Sequence, residues 1–136
     1  MNVKKYLIAA LAVGVVVNVF DFVVQGMILQ KAYYSTLTGL FRPEEELSMP
    51  WLIIGDFVAA FVLVFVYDRV YGSFSGGAKG GATYGLYAGI LVNFPTWIFA
   101  HLIFVGFPYA LSWIWTILGV VWAVIAGAVA GALYKK

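Results

Sequence analysis

From Tyr109 to Leu133 the chain reads YALSWIWTILGVVWAVIAGAVAGAL, 25 residues without one Asp, Glu, Lys or Arg. A helix rises about 1.5 Å per residue, so about 20 apolar residues cross a bilayer core of about 30 Å. Within the same run, Gly119, Ala123, Gly127 and Gly131 recur every four residues. That spacing keeps small side chains near one helix face. Lipid supplies no hydrophobic drive between helices, so a face of small residues marks where backbones approach closely. One stretch thus predicts both the solvent and the packing mode.

Three more apolar stretches precede it, and the four together run at about residues 6–29, 51–71, 82–105 and 109–134. The second is the shortest, its apolar part ending near Tyr67. In lipid the backbone must satisfy its own hydrogen bonds, which selects helices. The alternation of membrane β-strands is absent. The fold class is therefore all-α, an integral membrane four-helix bundle forming one transmembrane domain over residues 1–136, with a polar loop at 30–50. The whole-chain composition agrees: 64% of residues are hydrophobic and 10% charged, against about 25% charged in soluble domains. Lys4 and Lys5 before an apolar run also fit a signal peptide, but the run is long, carries Asn18 and Asp21, and lacks a small-residue cleavage site.

Basic residues sit at segment ends rather than among aromatics, which leaves nucleic-acid binding without support. Cysteine is absent, excluding disulfides, thiolate catalysis and Cys-ligated metals. Lys4, Lys5, Arg69, Lys79, Lys135 and Lys136 fall on one side of the bundle, and only Lys31 and Arg42 on the other. The richer side is expected to be cytoplasmic. Both termini then lie inside a cell's inner (plasma) membrane, and the 30–50 loop outside. In that loop Arg42-Pro43-Glu44-Glu45-Glu46 reads as a short helix start, because Pro and acids suit a first turn. Three glutamates there attract cations or simply form a solvated cap. The Gly/Ser-rich Gly72–Gly81 segment is expected to be a flexible inner connection. The short Gly106-Phe107-Pro108 turn forces the third and fourth helices into an antiparallel hairpin.

A second glycine row, Gly77, Gly81, Gly85 and Gly89, lies on the third helix, so the third and fourth helices should cross closely. Gly89-Ile90-Leu91-Val92-Asn93 also matches Gly14-Val15-Val16-Val17-Asn18 at an offset of 75 residues. Such a match fits two parallel-repeat hairpins, as in some transporters, or chance in apolar sequence. Exposed small-residue rows are also compatible with a homodimer or a larger membrane complex. The lipid bilayer is the one partner expected throughout.

Polar side chains inside a membrane are costly and mark candidate sites. On the first helix Asn18, Asp21 and Gln25 fall within about 60° of one another. Asp56 lies in the second helix, Asn93, Thr96 and His101 in the third, and Ser112 and Thr116 in the fourth. By helical rise they gather in the half nearer the 30–50 loop. The expected ligand-binding set is Asp21, Asn18, Gln25, Asp56, Asn93, Thr96 and His101, lining a pocket open to the outside and closed below by an Asn18–Asn93 hydrogen bond. Each has a structural reading too: the asparagines as helix-association bonds, Asp56 and His101 as interfacial groups reaching water or a backbone carbonyl. Asp21 is the sharpest, because a carboxylate at that depth needs a partner. Two carboxylates and a histidine are metal-donor types, but no local Asp-x-x-His spacing supports a metal site, and one histidine does not make a haem site. Pro95 frees a backbone carbonyl in mid-helix, as a packing kink or a hinge. Trp97, Trp113, Trp115 and Trp122 form an aromatic wall or serve as interface anchors.

No Ser-His-Asp arrangement, phosphate-binding loop or paired-histidine motif appears, so an enzyme is the less favoured class and no cofactor is indicated. The Phe20-Asp21-Phe22 stretch to Gly26, the Arg42-Pro43-Glu44 run before a Trp-led helix, and the glycine-rich start of the third helix with Pro95 resemble small bacterial membrane proteins with four transmembrane helices. The resemblance spans nearly the whole chain and implies a free-standing domain, with no activity attached. The expected function is binding or transport of a small molecule or ion. The alternative is a non-catalytic assembly or accessory subunit of a larger membrane complex.

Overall fold

The uncharged run forms a single helix, and every other regular element is helical as well. The computed structural model describes all 136 residues. Its long helices are α1 (Val3–Ala32), α2 (Met49–Val70), α3 (Gly77–Ile103) and α4 (Tyr109–Leu133). All four are long and apolar enough to cross a membrane. Large apolar side chains cover the outside, with Trp51 73%, Leu91 75% and Leu102 71% exposed. In water such a surface would drive aggregation; it fits a multi-pass membrane protein. The end carrying both termini and the 71–76 turn is called the terminal end here, and the opposite end the loop end.

The helices are not packed equally. α3 lies on α4 along the two small-residue rows. A Cβ added at Gly81 would sit 2.0 Å from the Gly127 carbonyl oxygen, and one at Gly85 would sit 2.1 Å from that of Ala123. The two backbones are thus in direct contact, as the rows predict. α1 packs on α2 and α4, and its notch at Gly14 receives the Phe57 ring. α2 reaches α3 at the terminal end, where the Tyr84 hydroxyl donates to the Leu63 carbonyl at 2.9 Å.

The core fills the terminal half of the bundle. Val13 and Val17 of α1, Val64 of α2 and Ala126 of α4 are fully buried there. Tyr67, Tyr84 and Tyr134 close it at the terminal end. The loop half contains no comparable apolar core, and the helices part there.

Two expectations are corrected. The third helix begins at Gly77, five residues before the expected start, and the connection before it is a 3-10 turn, Tyr71–Ser73, followed by three irregular residues. The glycines at its start are not a linker: Gly80 and Gly81 are buried, and Gly81 lies against Gly131. Gly77 itself takes a φ of +80°, which a side chain would strain. The acidic loop segment is only one 3-10 turn, Glu44–Glu46, with Pro43 just before it. Its exposed Arg42–Glu46 pair at 3.6 Å adds little stability. Pro95 lies inside α3, which is helical on both sides of it. The irregular turn is in α1, where Val24–Leu29 is π-helical, a feature that often accompanies functional sites.

Candidate functional site

Where the helices part, a cavity of about 420 Å³ lies among all four. α1 contributes Asp21 and Gln25, α2 Asp56, α3 Asn93 and Trp97, and α4 Trp115 and Trp122. A groove of about 630 Å³ adjoins it between α1 and the start of α2. Asn18 lines the groove, and Tyr34 and Phe41 of the loop roof it. The two spaces share Asp21, Gln25, Asp56 and Trp115.

The Asp21 and Asp56 carboxyls are neighbours, and both line the cavity and the groove. On the other side, Trp122 Nε1 donates to Asp21 Oδ2 at 3.2 Å. Two carboxylates this close repel strongly in an apolar setting, and a proton or cation held between them relieves the repulsion. No Lys, Arg or His lines either space. The protein therefore leaves the charge of the pair uncompensated.

The roof is bonded to the walls. Trp115 Nε1 donates to the Tyr34 hydroxyl at 2.6 Å, and that hydroxyl donates to Gln25 Oε1. Tyr34 is 7% exposed and its ring packs on Phe41 at 4.5 Å between centroids. Burial pushes the Tyr34 phenol above its ordinary range, so it stays a neutral donor. Trp115 also meets Trp97 edge-on at 4.7 Å. The widened turn of α1 contains Gln25, so the irregular backbone sits directly under the roof.

The remaining expected residues divide. Asn18 and Asn93 do not bond each other. Asn18 Nδ2 donates to the Gly14 carbonyl at 2.8 Å, and Asn93 Nδ2 to that of Gly89 at 2.9 Å. The asparagine amides find acceptors one turn back on their own helices, which removes the drive to pair across the bundle. Asn93 Oδ1 accepts from Trp97 Nε1 at 3.3 Å, and its side chain fills the notch at Gly119 of α4. Thr96 is exposed and bonds back to the Val92 carbonyl at 2.5 Å. His101 Nδ1 donates to the Phe107 carbonyl at 3.0 Å and stacks near Tyr109, stapling the α3–α4 turn. Neither Thr96 nor His101 lines the cavity or the groove. Trp113 packs on Phe94 and is outside the wall that Trp97, Trp115 and Trp122 form.

Tyr34, Phe41 and the π-helical turn were not legible as site elements in the sequence. Tyr33-Tyr34 reads equally as interface aromatics, and no local pattern assigns a loop residue to a distant cavity. The one fully buried carboxylate was also missed. Asp68 at the terminal end is 1% exposed and accepts from the Tyr134 hydroxyl, with Arg69 Nε at 3.8 Å. The available signal was a carboxylate near the end of one apolar helix and a tyrosine at the corresponding end of another.

No family model, curated protein or solved structure matches the chain.

Proposed function

We propose that the chain is a multi-pass protein of a cell's inner (plasma) membrane that binds and translocates a small molecule or ion through its loop-end cavity. The termini are cytoplasmic and the 30–50 loop is outside, a reading supported by the excess of Lys and Arg at the terminal end. The observation that carries the function is the Asp21–Asp56 pair, set where the cavity meets the roofed groove, with no basic side chain lining either space. Asp21 is the central group, Asp56 its neighbour, and Gln25, Asn93 and Asn18 line the walls. Charge of this kind is expensive in a membrane interior and marks a pathway for protons, ions or cationic solutes.

The cavity ends above the core of Val13, Val17, Val64 and Ala126, so it is a site and not a continuous pore. Release to the far side requires helix movement. The α3–α4 contact is backbone on backbone, whereas α1 meets α2 through the Phe57 ring in the Gly14 notch. The α3–α4 pair is therefore the rigid unit, and its sparser contacts with α1 and α2 are where movement would occur.

The test is flux in proteoliposomes, followed with an internal pH dye for protons, with ²²Na⁺ and ⁸⁶Rb⁺ for inorganic cations and with radiolabelled benzyltrimethylammonium for an organic one. The native chain should move at least one of these above protein-free vesicles, and Asp21→Asn should abolish that movement. Equal rates in the two proteins, or none above the lipid background, would remove the transport role.

A further inference from the structure

We propose that the loop-end cavity takes an organic monocation, a protonated amine or quaternary ammonium with an apolar body. The inference rests on the functional reading above and narrows its ligand. Size is the first argument. The cavity of about 420 Å³ and its adjoining groove of about 630 Å³ are in the range of sites for small organic molecules. A bare ion would leave most of that space empty.

The oxygen inventory is the second argument. Hard cations such as Ca²⁺ take six to eight oxygen ligands. Here Gln25 Oε1 already accepts from Tyr34, and Asn93 Oδ1 from Trp97. The carboxylates remain as the main acceptors, and no group of three His, Cys, Asp or Glu side chains is placed to hold a metal. An ammonium group needs far fewer ligands, and a quaternary one needs no hydrogen bonds at all.

The walls supply the third argument. Trp97, Trp115 and Trp122 line the cavity, and Tyr34 and Phe41 roof the groove. Aromatic rings bury an apolar body, and tryptophan is the best of them at attracting a cation. The Asp21–Asp56 pair has no Lys, Arg or His beside it in either space, so a cation is the charge it lacks. Trp122 holds Asp21 by its N–H, fixing one carboxylate against an aromatic wall. The open side between α2 and α3, which meet mainly at the terminal end, gives an amphipathic cation a lateral way in.

The experiment titrates the purified full chain in detergent, reading intrinsic tryptophan fluorescence. The probes are benzyltrimethylammonium, its neutral carbon isostere neopentylbenzene, Na⁺ and Mg²⁺. Saturable binding of benzyltrimethylammonium is expected, with the isostere at least tenfold weaker. Asp21→Asn and Asp56→Asn should each weaken the cation at least tenfold, and Trp115→Leu severalfold. Circular dichroism identifies variants that fold, and either Asp variant suffices. Asp21-dependent binding of Na⁺ or Mg²⁺ without benzyltrimethylammonium would overturn the organic class and leave the Asp21 site standing. Equal binding of the neutral isostere, unaffected by either Asp variant, would overturn both readings. Failure of every probe to saturate would overturn the ligand class alone, because flux is measured independently.

Discussion

The indole of Trp122 on α4 donates to the Asp21 carboxylate on α1 at 3.2 Å, joining residues 101 positions apart beside the α2 carboxyl of Asp56. Three helices therefore converge on one charge. Replacing Trp122 by Phe removes the donor and keeps an aromatic body. Interhelical bonds of this kind average about 0.6 kcal/mol in membrane proteins. Trp122→Phe should therefore cost about 1 kcal/mol or less in reversible unfolding in mixed micelles. Asp21→Asn retains an acceptor and should cost no more, while eliminating function. A Trp122→Phe loss above about 3 kcal/mol would mean the indole serves mainly as core.

Tyr34 fastens the loop to the bundle through Gln25 and Trp115. Tyr34→Phe keeps the ring contact with Phe41 and deletes both bonds. Hydrogen exchange across the 33–48 loop should accelerate severalfold, with exchange in α3 and α4 unchanged. Unaltered loop exchange would show that aromatic packing alone holds the roof.

Gly85 and Gly55 make a matched pair. A Cβ at Gly85 would lie 2.1 Å from the Ala123 carbonyl oxygen, whereas one at Gly55 meets nothing within 4 Å. Gly85→Ala should destabilise by about 1–3 kcal/mol through forced separation of α3 and α4. Gly55→Ala should be neutral or stabilising by up to about 1 kcal/mol, since alanine is the better helix former. Thermal unfolding of the two variants in one detergent gives the comparison.

At the terminal end, Tyr134→Phe strips the buried Asp68 carboxylate of its hydroxyl donor. The expected loss is about 1–3 kcal/mol, the usual cost of an unsatisfied buried polar group. The same change made in an Asp68→Asn background should cost less, and ligand binding at the loop end should not change. Equal costs in both backgrounds would sever the two residues energetically.

Orientation is testable because the chain has no native cysteine. Glu45→Cys should react with a membrane-impermeant maleimide in intact spheroplasts. Ser75→Cys should react only after permeabilisation. The reverse pattern would invert the bundle, and labelling of both in intact cells would remove the membrane topology proposed here.

The sequence alone determined the elements and the contact between two of them. Hydropathy and helix length are local properties, so four long apolar helices follow from composition along the chain. The rows through Gly81–Gly85 and Gly127–Gly131 likewise state that α3 and α4 meet, because only glycine permits that approach. The gathering of Asp21, Gln25, Asp56 and Asn93 in the loop half follows from helical rise. Tertiary structure decided which of these groups share a space. It set Asp21 beside Asp56, turned Asn18 and Asn93 back onto their own helices, and put Thr96 and His101 off the cavity. It also brought Tyr34 over the groove and Tyr134 onto Asp68. The reason is physical: how far a helix is rotated about its axis, and how it registers against a neighbour, depends on contacts between residues far apart in sequence. Phe57 in the Gly14 notch and Asn93 in the Gly119 notch set those angles, and no periodicity within one helix encodes them.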